Sequence, residues 1–296
     1  HIPHPFAIDN RRRKEGMKHL FVSDLDGTLL NPESRISART ASIVTELSRR
    51  GVLFTVATAR TPATVEPLLS ATLTLPPAIV MTGAAMWDRR RQSYINPHFM
   101  EPATAACITE ACAAHGIRPF SYTLDGSGII RTYYNGRTSR REQKFIDERA
   151  HLPLKRFEIN PTGDAAMSYP DTVLIFALGL PDSIYPLADE LRATGLCSVS
   201  SYPDIFNSDV AFLEVFAPGV SKASAVTDLK KLTGADRLTV FGDNLNDLPM
   251  MAVADVAVAV GNAFPEVKAA ADIVIGSNRD DAVALYISEE LAQHIE

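Results

Sequence analysis

The sequence predicts an α/β protein: a doubly wound, mostly parallel sheet core with an inserted α+β domain. Three observations lead there. Short apolar strands alternate with amphipathic helices from Met17 onward. Between Ala85 and about Phe216 that rhythm gives way to alternating strands and frequent turns, and from Pro218 it returns. Strands that are apolar throughout suit a parallel sheet covered on both faces, and a β-α-β-α-β order suits crossover connections. The expected division is a core from 17–84 and 217–296, with the insertion at 85–216.

Taken in order, "HLFVSDL" (19–25) reads as the first strand. "SARTASIVTELSRRG" (37–51) reads as a helix with Ser37 as N-cap and Gly51 past its end. "VLFTVAT" (52–58) and "AIVMT" (78–82) are strands, with a short helix over 62–70 between them. In the insertion, "MWDRRRQSYIN" (86–96) reads as a hairpin. "TLDGSGIIRTYYNG" (123–136) reads as strands with turns at Asp125–Gly126 and Asn135–Gly136. Helices are expected near 102–115, 138–150 and 182–194, and a strand over 172–180. After Pro218 come a helix (221–234), strands at 237–243, 256–260 and 272–275, and a closing helix over 280–293.

The 296 residues are 46% hydrophobic, ample for a large core. A net charge of −6 argues against non-specific nucleic-acid binding. No stretch is apolar for long enough to span a bilayer. The Arg-rich segment 1–16 lacks the plan of a secretory signal and reads as a mobile leader or an expression remnant. Three cysteines cannot all pair, and Cys107 and Cys112 read as small buried hydrophobes on a helix, which favours a reducing cytoplasm.

The chemistry lies at strand ends. In an open parallel sheet, ligands bind where strands finish and loops diverge. Asp24 and Asp26 follow the first strand, Thr58 ends the second, Lys222 opens a helix, and Asp243 and Asp247 stand in "GDNLND". Taken singly, each has a plainer reading: a turn for Asp-Gly, a helix cap for Asp243 or Asn244, a solvated face for Lys222. The conjunction is what argues for a site. Clustered carboxylates suit a hard divalent cation such as Mg²⁺, while Lys222 and the Thr58 hydroxyl suit phosphate oxygens. A carboxylate beside a neutralised phosphate can attack in line, and a second can move protons.

With "DLDGTLL", "ATAR" (57–60), "GVSKASAV" (219–226) and "GDNLND" (242–247), the chain resembles the haloacid-dehalogenase-like phosphatases. Within them it is most similar to the Cof-type sugar-phosphate phosphatases with a type IIB cap. The resemblance covers nearly everything from Met17 onward. It implies Asp24 as nucleophile and Asp26 as general acid/base. Asp24, the Asp26 backbone carbonyl and Asp243 would hold Mg²⁺. Thr58 and Lys222 would hold the phosphoryl group, and Asn246 would contact phosphate or substrate. Asp247 would orient Lys222 or a metal-bound water, and Thr28 would support the loop. The insertion would be the cap. One departure stands out: Ala59 replaces the glycine usual in the second motif.

The expected activity is Mg²⁺-dependent hydrolysis of phosphomonoesters of small metabolites, sugar phosphates foremost, through an aspartyl-phosphate. Two alternatives use the same residues: a phosphotransferase or phosphomutase, and a non-enzymatic phospho-Asp switch. No nucleic acid or membrane partner is expected, and the sequence does not reveal the oligomeric state.

Overall fold

The computed structural model describes residues 17–204 and 209–293; the segment 1–16 expected to form a leader lies outside them. The first stretch of chain contains β1 (His19–Ser23), α1 (Ala38–Arg49), β2 (Leu53–Val56), α2 (Pro62–Leu69) and β3 (Ala78–Val80). Next come β4 (Ala85–Asp88), β5 (Ser93–Ile95), α3 (Pro102–Ala114), β6 (Phe120–Leu124), β7 (Ile130–Tyr134) and α4 (Arg140–Asp147). These are followed by β8 (Lys155–Ile159), β9 (Thr172–Gly179), α5 (Pro181–Thr194), β10 (Ser198–Pro203) and β11 (Ala211–Phe216). The last stretch holds α6 (Lys222–Thr233), β12 (Arg237–Gly242), α7 (Leu248–Met251), β13 (Val256–Ala259), α8 (Pro265–Ala270), β14 (Ile273–Val274) and α9 (Ala282–Gln293). Contacts divide the chain into two compact units. The described part of one comprises 17–60, 65–83 and 222–293; the other holds 61–64 and the described residues of 84–221.

In the first unit the sheet runs β14-β13-β12-β1-β2, all parallel. An Ala57–Ile79 bridge brings β3 beside the end of β2. Leu20, Phe21 and Val22 are wholly buried, as expected of a central strand covered on both faces. From β1 the chain moves outward to β2, then returns much later as β12 on the other flank. Strand order therefore reverses between β1 and β12, which opens a crevice at their carboxyl ends. Ser37 caps α1 by accepting the Thr40 N–H at 2.9 Å. Asp281, just before α9, accepts the hydroxyls of both Ser37 and Thr40, which ties α9 to the start of α1.

The second unit holds a six-stranded sheet, β10-β11-β9-β6-β7-β8, antiparallel except between β7 and β8. Its strands alternate. Ile175, Ala177, Leu213 and Val215 pack with Ile108 and Cys112 of α3 and Ile184 and Leu187 of α5. The opposite register carries Phe120, Tyr122, Phe157, Phe176 and Phe212, with Phe145 of α4 against them. Among these rings lies the Lys155 ammonium, 2.8 Å from the Tyr122 hydroxyl and 4.0 Å from the centre of its ring. Burial, then the charge of Arg149, pushes the Lys155 pKa well down.

Two expectations need correction. Cys112 is buried, with its thiol pushed up to about 12 by burial, but Cys107 is exposed. The reason is helical phase: Ala105, Ile108 and Cys112 form the buried stripe of α3, and Cys107 falls off it. Strands β8, β10 and β11 also lie outside the strands expected from sequence. β8 is charged and β10 is rich in serine, so their pairing comes from neighbouring strands rather than from their own hydropathy. Among the described residues no helix is long and apolar enough to cross a membrane.

Candidate active site

After β1 the chain does not continue as a strand. The Asp24 N–H bonds to the Phe241 carbonyl at 2.9 Å, prolonging the β1–β12 pairing by one residue. Leu25–Leu29 then wind into a tight turn that the residue at 27 makes possible. Gly27 has φ = 82°, and a Cβ there would lie 2.3 Å from Oδ2 of Asp243. Only glycine meets both conditions without strain. Gly242 serves the neighbouring loop similarly, because a Cβ on it would lie 2.6 Å from the Asp247 Cβ.

These close approaches gather charge from distant parts of the chain. Lys222, only 2% exposed at the start of α6, donates to Asp24 Oδ1 at 2.5 Å and to Asp247 Oδ1 at 2.7 Å. The other oxygen of Asp247, Oδ2, accepts the backbone N–H groups of Asp243 (3.1 Å) and Asn244 (3.2 Å). Thr28 Oγ1 donates to Asp243 Oδ1 at 2.8 Å. The sequence-predicted Asp24, Thr28, Lys222, Asp243 and Asp247 are thus brought together by direct bonds.

The second motif arrives from β2. Thr58 is buried, and its hydroxyl oxygen accepts the Arg60 N–H at 3.1 Å, leaving the hydroxyl proton to be donated. Ala59 is not among the residues of positive φ, so the backbone there makes no demand that only glycine could meet. The side chain of Asp26 is more exposed than those of the other acids. Its two oxygens are taken by Arg60, Nε to Oδ2 and Nη2 to Oδ1, both at 2.7 Å. Asn246 is exposed and joins none of these contacts. Arg60 was absent from the sequence-derived set although it ends the quoted "ATAR"; the available signal was a fixed cation two residues after Thr58.

The electrostatics favour a cation. Asp24, Asp243 and Asp247 each present an oxygen within 4.8 Å of the others. Burial raises the Asp24 pKa well above the usual carboxylate range, against the pull of Lys222. Burial also lifts Asp243 to about 6, partly offset by its bond from Thr28. Burial opposes the charge of Lys222, but Asp24 and Asp247 outweigh it and hold the ammonium above its ordinary range. Three carboxylates facing one ammonium leave two negative charges, which a divalent ion would neutralise. All the donors are hard oxygens, as such an ion prefers. The residues therefore fit a metal.

Known proteins place the chain in a family. The model of the haloacid dehalogenase-like hydrolases matches residues 21–287, and the chain belongs to that family. Pyridoxal phosphate phosphatase from Escherichia coli is 26% identical over 90% of this chain and 97% of its own length. A 5-amino-6-(5-phospho-D-ribitylamino)uracil phosphatase from Bacillus subtilis is 26% identical over 91% of this chain and 96% of its own. Among solved structures, a sugar phosphatase of subclass IIB superposes with a TM-score of 0.68 at 20% identity, covering 92% of this chain and 98% of that one.

Proposed function

We propose that this family phosphatase is a Mg²⁺-dependent hydrolase of phosphomonoesters of small metabolites, sugar phosphates foremost, working through an aspartyl-phosphate on Asp24. The observation that carries the reading is the buried contact of Lys222 with Asp24 and Asp247, beside Asp243, at the switch between β1 and β12. The substrates named for the relatives, pyridoxal phosphate and a phosphoribitylamino uracil, and the sugar phosphatase neighbour support the substrate class. The three free thiols suit a reducing compartment, the cytoplasm.

Asp24, Asp243 and the backbone carbonyl of Asp26 would hold Mg²⁺, with Asp247 nearby. When bound, the ion neutralises charge on the carboxylates and the phosphoryl oxygens. Lys222 and the Thr58 hydroxyl bind phosphoryl oxygens. A carboxylate oxygen of Asp24 attacks phosphorus in line, and the bond from phosphorus to the leaving oxygen breaks. Asp26 gives that oxygen a proton, then takes one from the water that attacks the phosphorus of the aspartyl-phosphate. Inorganic phosphate leaves and Asp24 is restored. Thr28 keeps Asp243 in place, and Asn246 offers a further contact to the substrate. The inserted segment 85–216 is read as the cap that selects the leaving group.

The test is a panel of phosphate esters with Mg²⁺, read as release of inorganic phosphate. Wild-type protein should turn over several of them, and Asp24→Asn should be inactive. Full activity in Asp24→Asn would overturn the mechanism. Transfer of phosphate to a second hydroxyl instead of water would identify a phosphotransferase, and a phosphorylated Asp24 that never turned over would identify a switch.

A further inference from the structure

We infer that Asn262 is a positioning residue for the nucleophile turn, holding its backbone in register with the metal-binding acids. This rests on the reading of Asp24 as nucleophile. Asn262 stands in the loop after β13. Its Nδ2 donates to the Gly27 carbonyl at 2.8 Å. At the other end of the amide, Oδ1 accepts the N–H of Asn278 at 2.9 Å and the Ser277 hydroxyl at 3.4 Å. Asn278 in turn donates its Nδ2 to the Leu30 carbonyl at 2.8 Å. Two asparagines, from the loops that follow β13 and β14, thus grip the turn at Gly27 and at Leu30.

The same loop reaches the second acid. Two residues beyond Asn262, the Phe264 N–H bonds to the Asp243 carbonyl at 2.9 Å. The Gly261 N–H bonds to the Gly276 carbonyl at 2.9 Å, so the two loops brace each other. One short segment, 261–264, is therefore bonded to the turn that carries Asp24 and to the strand end that carries Asp243.

Gly27 explains why such a hold matters. Glycine there permits the close approach to Asp243 but leaves the backbone soft. A trans peptide points the Gly27 carbonyl and the Thr28 N–H to opposite sides. Holding the carbonyl on Asn262 therefore aims the Thr28 amide the other way and limits rocking of the turn. In-line attack tolerates little rocking, because displacements near 1 Å can cost about 100-fold in rate. Asn262 itself is exposed, so burial of its side chain does not account for the arrangement.

The test compares wild type, Asn262→Asp, Asn262→Ala and Asp24→Asn in the full chain, with Mg²⁺ and p-nitrophenyl phosphate. Asn262→Asp keeps an acceptor facing Asn278 but replaces the donor to Gly27 with a negative charge, whereas Asn262→Ala removes the donor without adding charge, so a loss shared by both variants reports the missing bond. Both Asn262 variants should lose about 10- to 100-fold in kcat with KM within about threefold. Melting temperatures should stay within about 3 °C of wild type, as for other surface substitutions. Without metal, amide hydrogen exchange should quicken in residues 24–30 in both Asn262 variants, and at Asn278 as well in Asn262→Ala, which also removes the acceptor of the Asn278 N–H. Unchanged kcat in Asn262→Asp overturns the inference, as does a loss of kcat matched by a large fall in melting temperature. An inactive Asp24→Asn beside an active wild type leaves the nucleophile reading intact in either case. An inactive wild type or an active Asp24→Asn overturns that reading and this inference with it.

Discussion

Arg60 grips Asp26 along one edge of its guanidinium, with two bonds of 2.7 Å. Both side chains are partly exposed, at 32% and 46%, and exposed pairs contribute only about 0–1 kcal/mol to stability. What the two-point contact supplies is direction, since a planar fork sets the plane of the carboxylate it meets. Arg60 also sits two residues after Thr58, so the second motif reaches both the proposed phosphoryl site and the proposed acid/base. Arg60→Ala should lower kcat about tenfold or more with little change in melting temperature. Arg60→Lys should rescue it poorly, because an ammonium keeps the charge and loses the fork. Steady-state phosphate release measures both.

Gly27→Ala tests the close approach at the turn. The added methyl would meet the Asp243 carboxylate at 2.3 Å, on a backbone with φ = 82°. A left-handed conformation alone costs a non-glycine residue about 1–2 kcal/mol. The variant should fold with a lowered melting temperature and bind Mg²⁺ far more weakly, as read by thermal shift across a Mg²⁺ titration.

Metal and proton should compete for the same acids. Mg²⁺ should raise the melting temperature at pH 7.5, and ligand at 100 times its Kd stabilises by about 2.7 kcal/mol. Asp243 is lifted to about 6 in the metal-free fold, above its ordinary 3.8. Stability from its protonation is thus present below 3.8 and lost as pH rises through about 6. The gain from Mg²⁺ should accordingly shrink as pH falls through that range, and Asp243→Asn should remove most of it. Chelation should abolish turnover, and added Mg²⁺ should restore it.

Lys155 gives a pH test far from this chemistry in the sequence. Burial holds its pKa well below the ordinary 10.5, so the unfolded chain binds a proton that the folded one resists. Stability from this residue therefore rises with pH between the depressed folded value and 10.5. Lys155→Met should melt higher than wild type at pH 7, and the advantage should narrow as pH approaches 10.5. Thermal melts at several pH values would show it; a constant difference would contradict it.

The sheet core was legible because each of its strands carries its own apolar signal, and the acids stand out where such runs end. Asp24, Lys222 and Asp243 could be grouped on that ground. Asn262 could not, and Arg60, although it ends "ATAR", carried no sign of its partner Asp26. Each acts through bonds to a distant loop, and neither residue type implies that partner. Strands β8 and β10 were hidden for a related reason: Lys155, Arg156 and the serines of β10 take extended form from their neighbours. Cys107 shows the limit of an Ala-rich helix, where apolar residues on every side blur which face is inward.

The ion pair of Lys222 with Asp24 spans 198 residues of sequence, and β1 obtains its β12 partner only from an equally late part of the chain. On the ribosome, the buried strand β1 therefore emerges long before one of its two flanking neighbours, β12, has been translated. Contacts of such separation fold slowly and leave sticky intermediates exposed meanwhile. For a nascent chain, this site cannot be completed until residues 222–247 have emerged, so products truncated before them should be inert and prone to aggregate or to engage chaperones.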